Sequence, residues 1–360
     1  MKYALIVLYN NKNPLSSVDY APVTDAFLSG GVFLDEVVFL PYDAPSAVSD
    51  RIAGLSSECD GVFLVCDRAL LPAAKEAIDG ISKSAQPFTG AVKETQERLY
   101  GAIPTGKEGA ETVITDLVPR IDRRRNERYC RVVLGVAAAP EERIRAAMKD
   151  AEERAEGRLV LHASSKYGIT RIEMIYNRET PKMIADEVLR ILVGELHGFV
   201  FTLDGQSLAE RLVDALKLHR KKIATAESFT GGGVGGAIVS VPGASAVFYE
   251  GINAYDSAAK IDRLSVNEFT IRTKGAVSDE TAYEMAAGLI MRGRCDIAVA
   301  TTGIAGPDSD ASGLPAGSCF IAVGTRERIR VFRYDFSGDR ETVIKTAVNF
   351  ALYHAYEEVR

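Results

Sequence analysis

Short apolar runs alternate with helical patterns along the first part of the chain. "YALIVLY" (3–9) and "DEVVFLPY" (35–42) read as buried strands, and "CDGVFLVCD" (59–67) as a third. "APSAVSDRIAGLSSE" (44–58) and "LLPAAKEAIDGI" (70–81) carry the helical period between and after them. Strand–helix alternation predicts a parallel sheet covered on both faces. "RYCRVVLGV" (128–136) reads as a late strand. "PEERIRAAMKDAEERAEG" (140–157) then reads as a solvated helix, with Pro140 at its start and an end near Gly157. A small strand–helix–strand unit follows: "ITRIEMIYN" (169–177), "TPKMIADEVLRILVGEL" (180–196) with Pro181 in its first turn, and "GFVFTL" (198–203). At about 40 residues it is too small to stand alone. The last unit opens on "SLAE", Ser207 to Glu210, a capping box heading the helix 208–219. Beyond it come the strand "KKIATAES" (221–228), a glycine run, the helical "VGGAIVSV" (234–241), three strands (295–303, 317–325, 329–336) and a closing helix (340–359).

The pattern predicts three units, 1–160, 161–204 and 205–360, all mixed α/β, and 360 residues suit two or three domains. Hydrophobic content of 47% and charged content of 26% describe a globular chain with ample core. A net charge of −6 argues against a nucleic-acid partner. The apolar run near the N-terminus is too short for a signal peptide, and nothing reaches the roughly 18 apolar residues of a spanning helix. A cytoplasmic location with no membrane partner is therefore expected. Five scattered cysteines with no Cys-x-x-Cys read as buried thiols, not as zinc ligands or disulfides. Four dispersed histidines leave a histidine-based triad little to draw on.

Candidate chemistry clusters in the last unit. "TAESFTGGGVGG" (225–236) puts Ser228 where a strand turns into a helix, the edge at which ligands collect in open α/β sheets. Thr230 to Gly233 would offer backbone N–H groups at a helix start, where anions bind; a purely steric turn is the plainer account. "GINAYDSAAK" (251–260) holds Tyr255 and Lys260, and a serine nucleophile lacking histidine can use lysine as its base. A packed tyrosine and a surface lysine would explain the same letters. The tyrosine–lysine pair of short-chain dehydrogenases is spaced by four residues; here the spacing is five. "TTGIAGPDSD" (301–310) is a loop that glycine and proline fix at the same sheet edge. Arg340 in "FSGDRETV" stands at a helix start, against the helix dipole, which suggests an anion clamp or a pairing with Asp339 or Glu341.

Five ordered motifs within the last unit of about 155 residues resemble the CinA C-terminal domain, the nicotinamide-nucleotide amidase family: Ala226 to Gly232, Tyr255 to Lys260, Gly275 to Ser278, Thr302 to Pro307 and Phe336 to Arg340. Phe229 departs from the cysteine or leucine common there, and the position reads as tolerant. The resemblance implies hydrolysis of nicotinamide mononucleotide to nicotinate mononucleotide and ammonia. Ser228 would be the nucleophile, Lys260 its base, and Tyr255 a proton relay or an orienting group. Backbone N–H groups near Thr230, Gly231 and Gly232 would hold the oxyanion; Thr302, Gly303 and Arg340 would bind the nucleotide. No cofactor or metal is implied, and a homodimer is.

The whole chain resembles full-length CinA, which implies a molybdopterin-binding-like three-layer N-terminal domain, a small KH-like α+β linker domain and the CinA-type α/β domain. The family's Gly-Gly-x-Gly-Pro-Thr loop, tied to a pyrophosphatase activity on ADP-ribose, is replaced here by "VCDRALLPAAK", Val65 to Lys75. "LGVAAAPEER" (134–143) only faintly matches the family's second loop. An amidase with an inactive N-terminal domain is the leading expectation. A bifunctional enzyme and a non-catalytic competence- or damage-related binding protein are its rivals.

Overall fold

The computed structural model describes residues 1–360 apart from 11, 13, 43–44, 83–86, 126–128, 178 and 310–312. Ala44, Arg128 and Asp310, at the ends of three expected segments, lie outside the described residues. The architecture is mixed α/β with three sheets, and the chain divides into two units, Met1–Arg131 with Ile175–Pro181, and Val132–Met174 with Lys182–Arg360.

The first unit begins with β1 (Tyr3–Tyr9), α1 (Ala21–Ser29), β2 (Glu36–Pro41), α2 (Pro45–Glu58), β3 (Gly61–Cys66) and α3 (Leu71–Ser82). It continues with β4 (Val92–Glu94), β5 (Leu99–Pro104), α4 (Gly106–Thr112), a π-helical turn (Val113–Leu117) and α5 (Val118–Arg124). The strand order is β2-β1-β3-β5-β4, parallel except for β4. Every residue of β3 and β5 is buried, as a parallel sheet covered on both faces requires. One core holds Leu5, Phe27, Phe63 and Leu117; the other holds Ile6, Ile52, Leu64 and Ile78. β2 was expected to be buried, but among the described residues it pairs only with β1 and has Val37 and Phe39 exposed. Val65–Lys75 runs off β3 into α3; there Arg68 pairs with Glu108 and Lys75 donates to the Gly90 carbonyl.

The middle segment comprises β6 (Tyr129–Ala137), α6 (Glu141–Ala155), β7 (Val160–Lys166), β8 (Ile169–Asn177), α7 (Lys182–Glu195) and β9 (Val200–Thr202). These strands form a sheet in the order β7-β8-β6-β9, and α6 packs on α7. Pro140 caps α6, and Pro181 precedes α7 instead of lying in its first turn. β7 escapes the sequence reading because "VLHASSK" is short of apolar residues. The turn from β7 to β8, Tyr167–Gly168, rests on the last helix of the chain, where Asn349 Nδ2 donates to the Tyr167 carbonyl at 2.9 Å.

The C-terminal segment runs α8 (Leu208–Leu218), β10 (Ile223–Glu227), α9 (Gly233–Val239), β11 (Phe248–Asn253), α10 (Ser257–Leu264), α11 (Glu268–Lys274), α12 (Asp279–Met291), β12 (Ile297–Gly303), β13 (Ser318–Gly324), β14 (Ile329–Asp335) and α13 (Arg340–Val359). The capping box at Ser207 and Glu210 is formed in both directions. The strand order is β11-β10-β12-β13-β14. β11, β10 and β12 are parallel; β13 and β14 run antiparallel to their neighbours. One sheet face buries Ile223, Val299, Ile321 and Val323 with Leu212 and Leu216 of α8, Val234 and Ile238 of α9, and Leu352 of α13. The other face is built of alanines: Ala224, Ala226, Ala298, Ala300 and Ala322 meet Met285, Ala286 and Leu289 of α12. Small side chains there let the helix layer approach closely. Cys59, Cys66, Cys295 and Cys319 are buried free thiols, and Cys130 is half-buried. Among the described residues no helix is long and apolar enough to cross a membrane.

Candidate active site

Parallel strands place their C-terminal ends on one side, and the antiparallel β13 and β14 bring the start of one and the end of the other to that same edge. Ser228 directly follows β10, and its N–H donates to the Thr301 carbonyl of β12 at 3.0 Å. Asn253 ends β11, so Tyr255 and α10 begin beside it. Thr302 and Gly303 end β12, and α13 starts five residues after β14. Ser228, Tyr255, Lys260, Thr302, Gly303 and Arg340 all line one cleft of about 320 Å³. Phe229, Ala276, Val277, Ile304 and Ala305 give it an apolar wall.

Lys260 sits at the centre. It is 2% exposed and its Nζ lies 3.0 Å from Ser228 Oγ, 2.9 Å from the Ala254 carbonyl and 3.1 Å from the Tyr255 carbonyl. Burial pushes its ammonium below a lysine's ordinary value, with Asp256 pulling the other way. Carbonyls only accept, so two of its N–H groups are committed to Ala254 and Tyr255. A neutral amine then has a lone pair left for the Ser228 hydroxyl, which is the arrangement of a nucleophile and its base. The Tyr255 phenol points elsewhere in the network. Its side chain is largely exposed, and Arg340 Nη2 lies 3.3 Å from its Oη, while Arg340 Nη1 donates to the Gly306 carbonyl at 2.8 Å. Arg340 thus ties α13 to the Gly306 loop and to Tyr255. Asp339 caps the helix, and Glu341 pairs with Lys345, so neither takes up the arginine.

The glycine run resolves into separate tasks. Gly231 and Gly232 have φ of +61° and +94°, a left-handed turn that glycine permits. Gly233 lies where a Cβ would come within 2.8 Å of Val348 on α13. The expected anion site at the start of α9 is not free. The carboxylate of Glu227, 1% exposed, accepts from Val234 N at 3.0 Å, Gly235 N at 2.8 Å and Thr230 Oγ1 at 2.8 Å. Gly231 donates its N–H to the Ser228 carbonyl, so it drops out of the expected oxyanion donors. Among the described residues, the N–H groups of Phe229, Thr230 and Gly232 meet no acceptor. Thr302 is fully buried with its hydroxyl on the Ala276 carbonyl at 2.7 Å, so it braces the cleft wall and its side chain is committed there. Phe229 is 4% exposed and packs with Ala305, Cys319, Val343 and Ala347, which corrects the reading of that position as tolerant.

Sequence reasoning passed over Glu227, although it stands beside the nucleophile candidate. A lone carboxylate next to a glycine turn carries no sequence mark of what it will cap seven and eight residues on.

Residues 205–359 match the family described as CinA C-terminal domain. A CinA-like protein of Fusobacterium nucleatum is 36% identical over 190 residues, which is 52% of this chain and 46% of that protein. A CinA-like protein of Chloroherpeton thalassium is 41% identical over 143 residues, 40% of this chain and 34% of that protein. The chain spans less than half the length of these curated relatives. Among solved structures, a competence-damaged protein (CinA) superfamily protein from Klebsiella pneumoniae is 34% identical, with a TM-score of 0.41, over 42% of this chain and 95% of that one.

Proposed function

The chain belongs to the CinA family through residues 205–359, and from that premise we propose that it hydrolyses the carboxamide of nicotinamide mononucleotide to nicotinate mononucleotide and ammonia. The observation that carries this reading is the buried Lys260 Nζ 3.0 Å from Ser228 Oγ on the floor of the cleft. Ser228 Oγ attacks the carboxamide carbon while neutral Lys260 takes the hydroxyl proton. The N–H groups of Phe229 and Thr230 are the donors nearest in sequence for the developing oxyanion. Collapse breaks the C–N bond, and Lys260 returns the proton to the departing ammonia. Water, activated by the same amine, then cleaves the acyl-serine ester and releases nicotinate mononucleotide. The apolar wall of Phe229, Val277 and Ile304 suits a pyridine ring. Arg340 has N–H groups beyond the two already bonded, and these suit the 5′-phosphate.

Ammonia release from nicotinamide mononucleotide by the purified protein tests the reading. Ser228→Ala and Lys260→Ala should each cost at least about 1,000-fold in kcat, and the double variant should be hardly worse, because the two act as a unit. Wild-type kcat should rise with pH through a group titrating below 10.5, the lysine's ordinary value. A folded Ser228→Ala variant within a few-fold of wild type would leave water as the attacking species and remove the acyl-serine step.

A further inference from the structure

Glu227 is a carboxylate, 1% exposed, and among the described residues no lysine or arginine forms an ion pair with it. Burying an anion without a cation is costly unless hydrogen bonds replace the lost water. Here the replacement is built from the loop that follows it. Glu227 Oε2 accepts from Thr230 Oγ1 at 2.8 Å and from Val234 N at 3.0 Å; Oε1 accepts from Gly235 N at 2.8 Å. Thr230 Oγ1 also stands 2.6 Å from Thr301 Oγ1 of β12. The donors Thr230, Val234 and Gly235 lie three, seven and eight residues after the carboxylate. Ser228 and the two amides that follow it sit inside the loop so closed. The carboxylate, at the end of β10, is fixed by the strand, and β12 holds Ser228 N and Thr230 Oγ1.

From this geometry we infer that Glu227 is a positioning residue for the Ser228 reaction. It occupies the free amides of α9, so no part of the substrate binds there. It also locks the 228–232 turn, which holds the Ser228 hydroxyl at 3.0 Å from Lys260 and keeps the Phe229 and Thr230 amides unpaired for the oxyanion. The inference rests on the nucleophile assignment above, but not on the identity of the substrate. Glu227 lines no part of the cleft, so its effect falls on kcat and leaves KM alone.

The test uses the full chain and two readouts. One is steady-state turnover of nicotinamide mononucleotide. The other is the rate at which an alkyl fluorophosphonate labels Ser228, read by mass spectrometry; its phosphoryl oxygen would occupy the same oxyanion site and needs no substrate recognition. Glu227→Gln keeps the shape but removes the charge. It should slow both readouts by about 10- to 100-fold at unchanged KM. Since that variant can be poorly folded, Thr230→Val and Thr230→Ser provide a milder pair. Valine deletes the hydroxyl's bonds to Glu227 and to Thr301 and should slow labelling measurably, while serine should restore it. Folded Glu227→Gln and Thr230→Val proteins that label at the wild-type rate would overturn the inference and leave Glu227 a purely structural cap. Wild-type protein that labels at Ser228 but releases no ammonia would defeat the substrate assignment while Glu227 is still judged by labelling. Wild-type protein that does not label at Ser228 would overturn both.

Discussion

At Tyr255 two roles are open from the sequence, proton relay or orientation, and the contacts favour the second. Lys260 bonds the Tyr255 carbonyl, whereas the phenol meets Arg340. Tyr255→Phe should therefore leave kcat within about threefold of wild type and act on KM through Arg340, whereas a relay would lose orders of magnitude. Arg340→Ala should raise KM by about 10-fold or more with little change in melting temperature, because its bonds lie at the exposed mouth of the cleft. Steady-state kinetics beside thermal unfolding checks both. Much of this site could be read from single residues: Ser228, Lys260 and Arg340 were chosen by chemistry, spacing and family likeness, and they meet in one cleft. Glu227 could not be read in that way, since its importance lies in bonds to amides whose positions only the folded turn defines.

Elements were legible where the apolar period was uninterrupted. β1, β3, β8 and α13 were expected within a residue or two of where they lie. β5 was missed because Gly101 and Pro104 break its pattern, and α12 because its apolar stripe faces a layer of alanines that needs little bulk. Phe229 shows the opposite error: likeness to relatives suggested tolerance, while the fold seals the side chain between Cys319 and the first turns of α13. Phe229→Ala should destabilise the C-terminal domain by about 3–5 kcal/mol, with Phe229→Leu far milder. Urea unfolding of the two variants decides this, and equal small losses would mean that α13 can settle into the gap.

For the molecule as a whole, one buried ring sets a response to acid. His354 of α13 is 7% exposed, stacks on Phe332 with centroids 3.6 Å apart, and has Nε2 2.7 Å from the Tyr334 hydroxyl. Burial first, and Arg330 second, hold its pKa down to about 4, below the usual 6.5. As pH falls below 6.5 the unfolded chain takes up the proton first. The stability this ring contributes is complete above that value and is lost by about pH 4, on the order of 3 kcal/mol. His354→Asn should therefore lose less stability than wild type between pH 7 and pH 4 in denaturant titrations. Parallel pH profiles would count against the assignment.

The sheet edge that gathers the site also dictates when activity can appear. Ser228 and Arg340 stand 112 positions apart in the sequence, and the crossovers between them must all close before the cleft exists. Contacts of such sequence separation are slow to form, because the chain loses loop entropy before they reward it. Helical signal should return early in refolding from urea, and ammonia release should return only with the slowest phase. Ammonia release would thus serve as a late clock for folding, and a truncation that removes either segment would stop it, since both are needed at once.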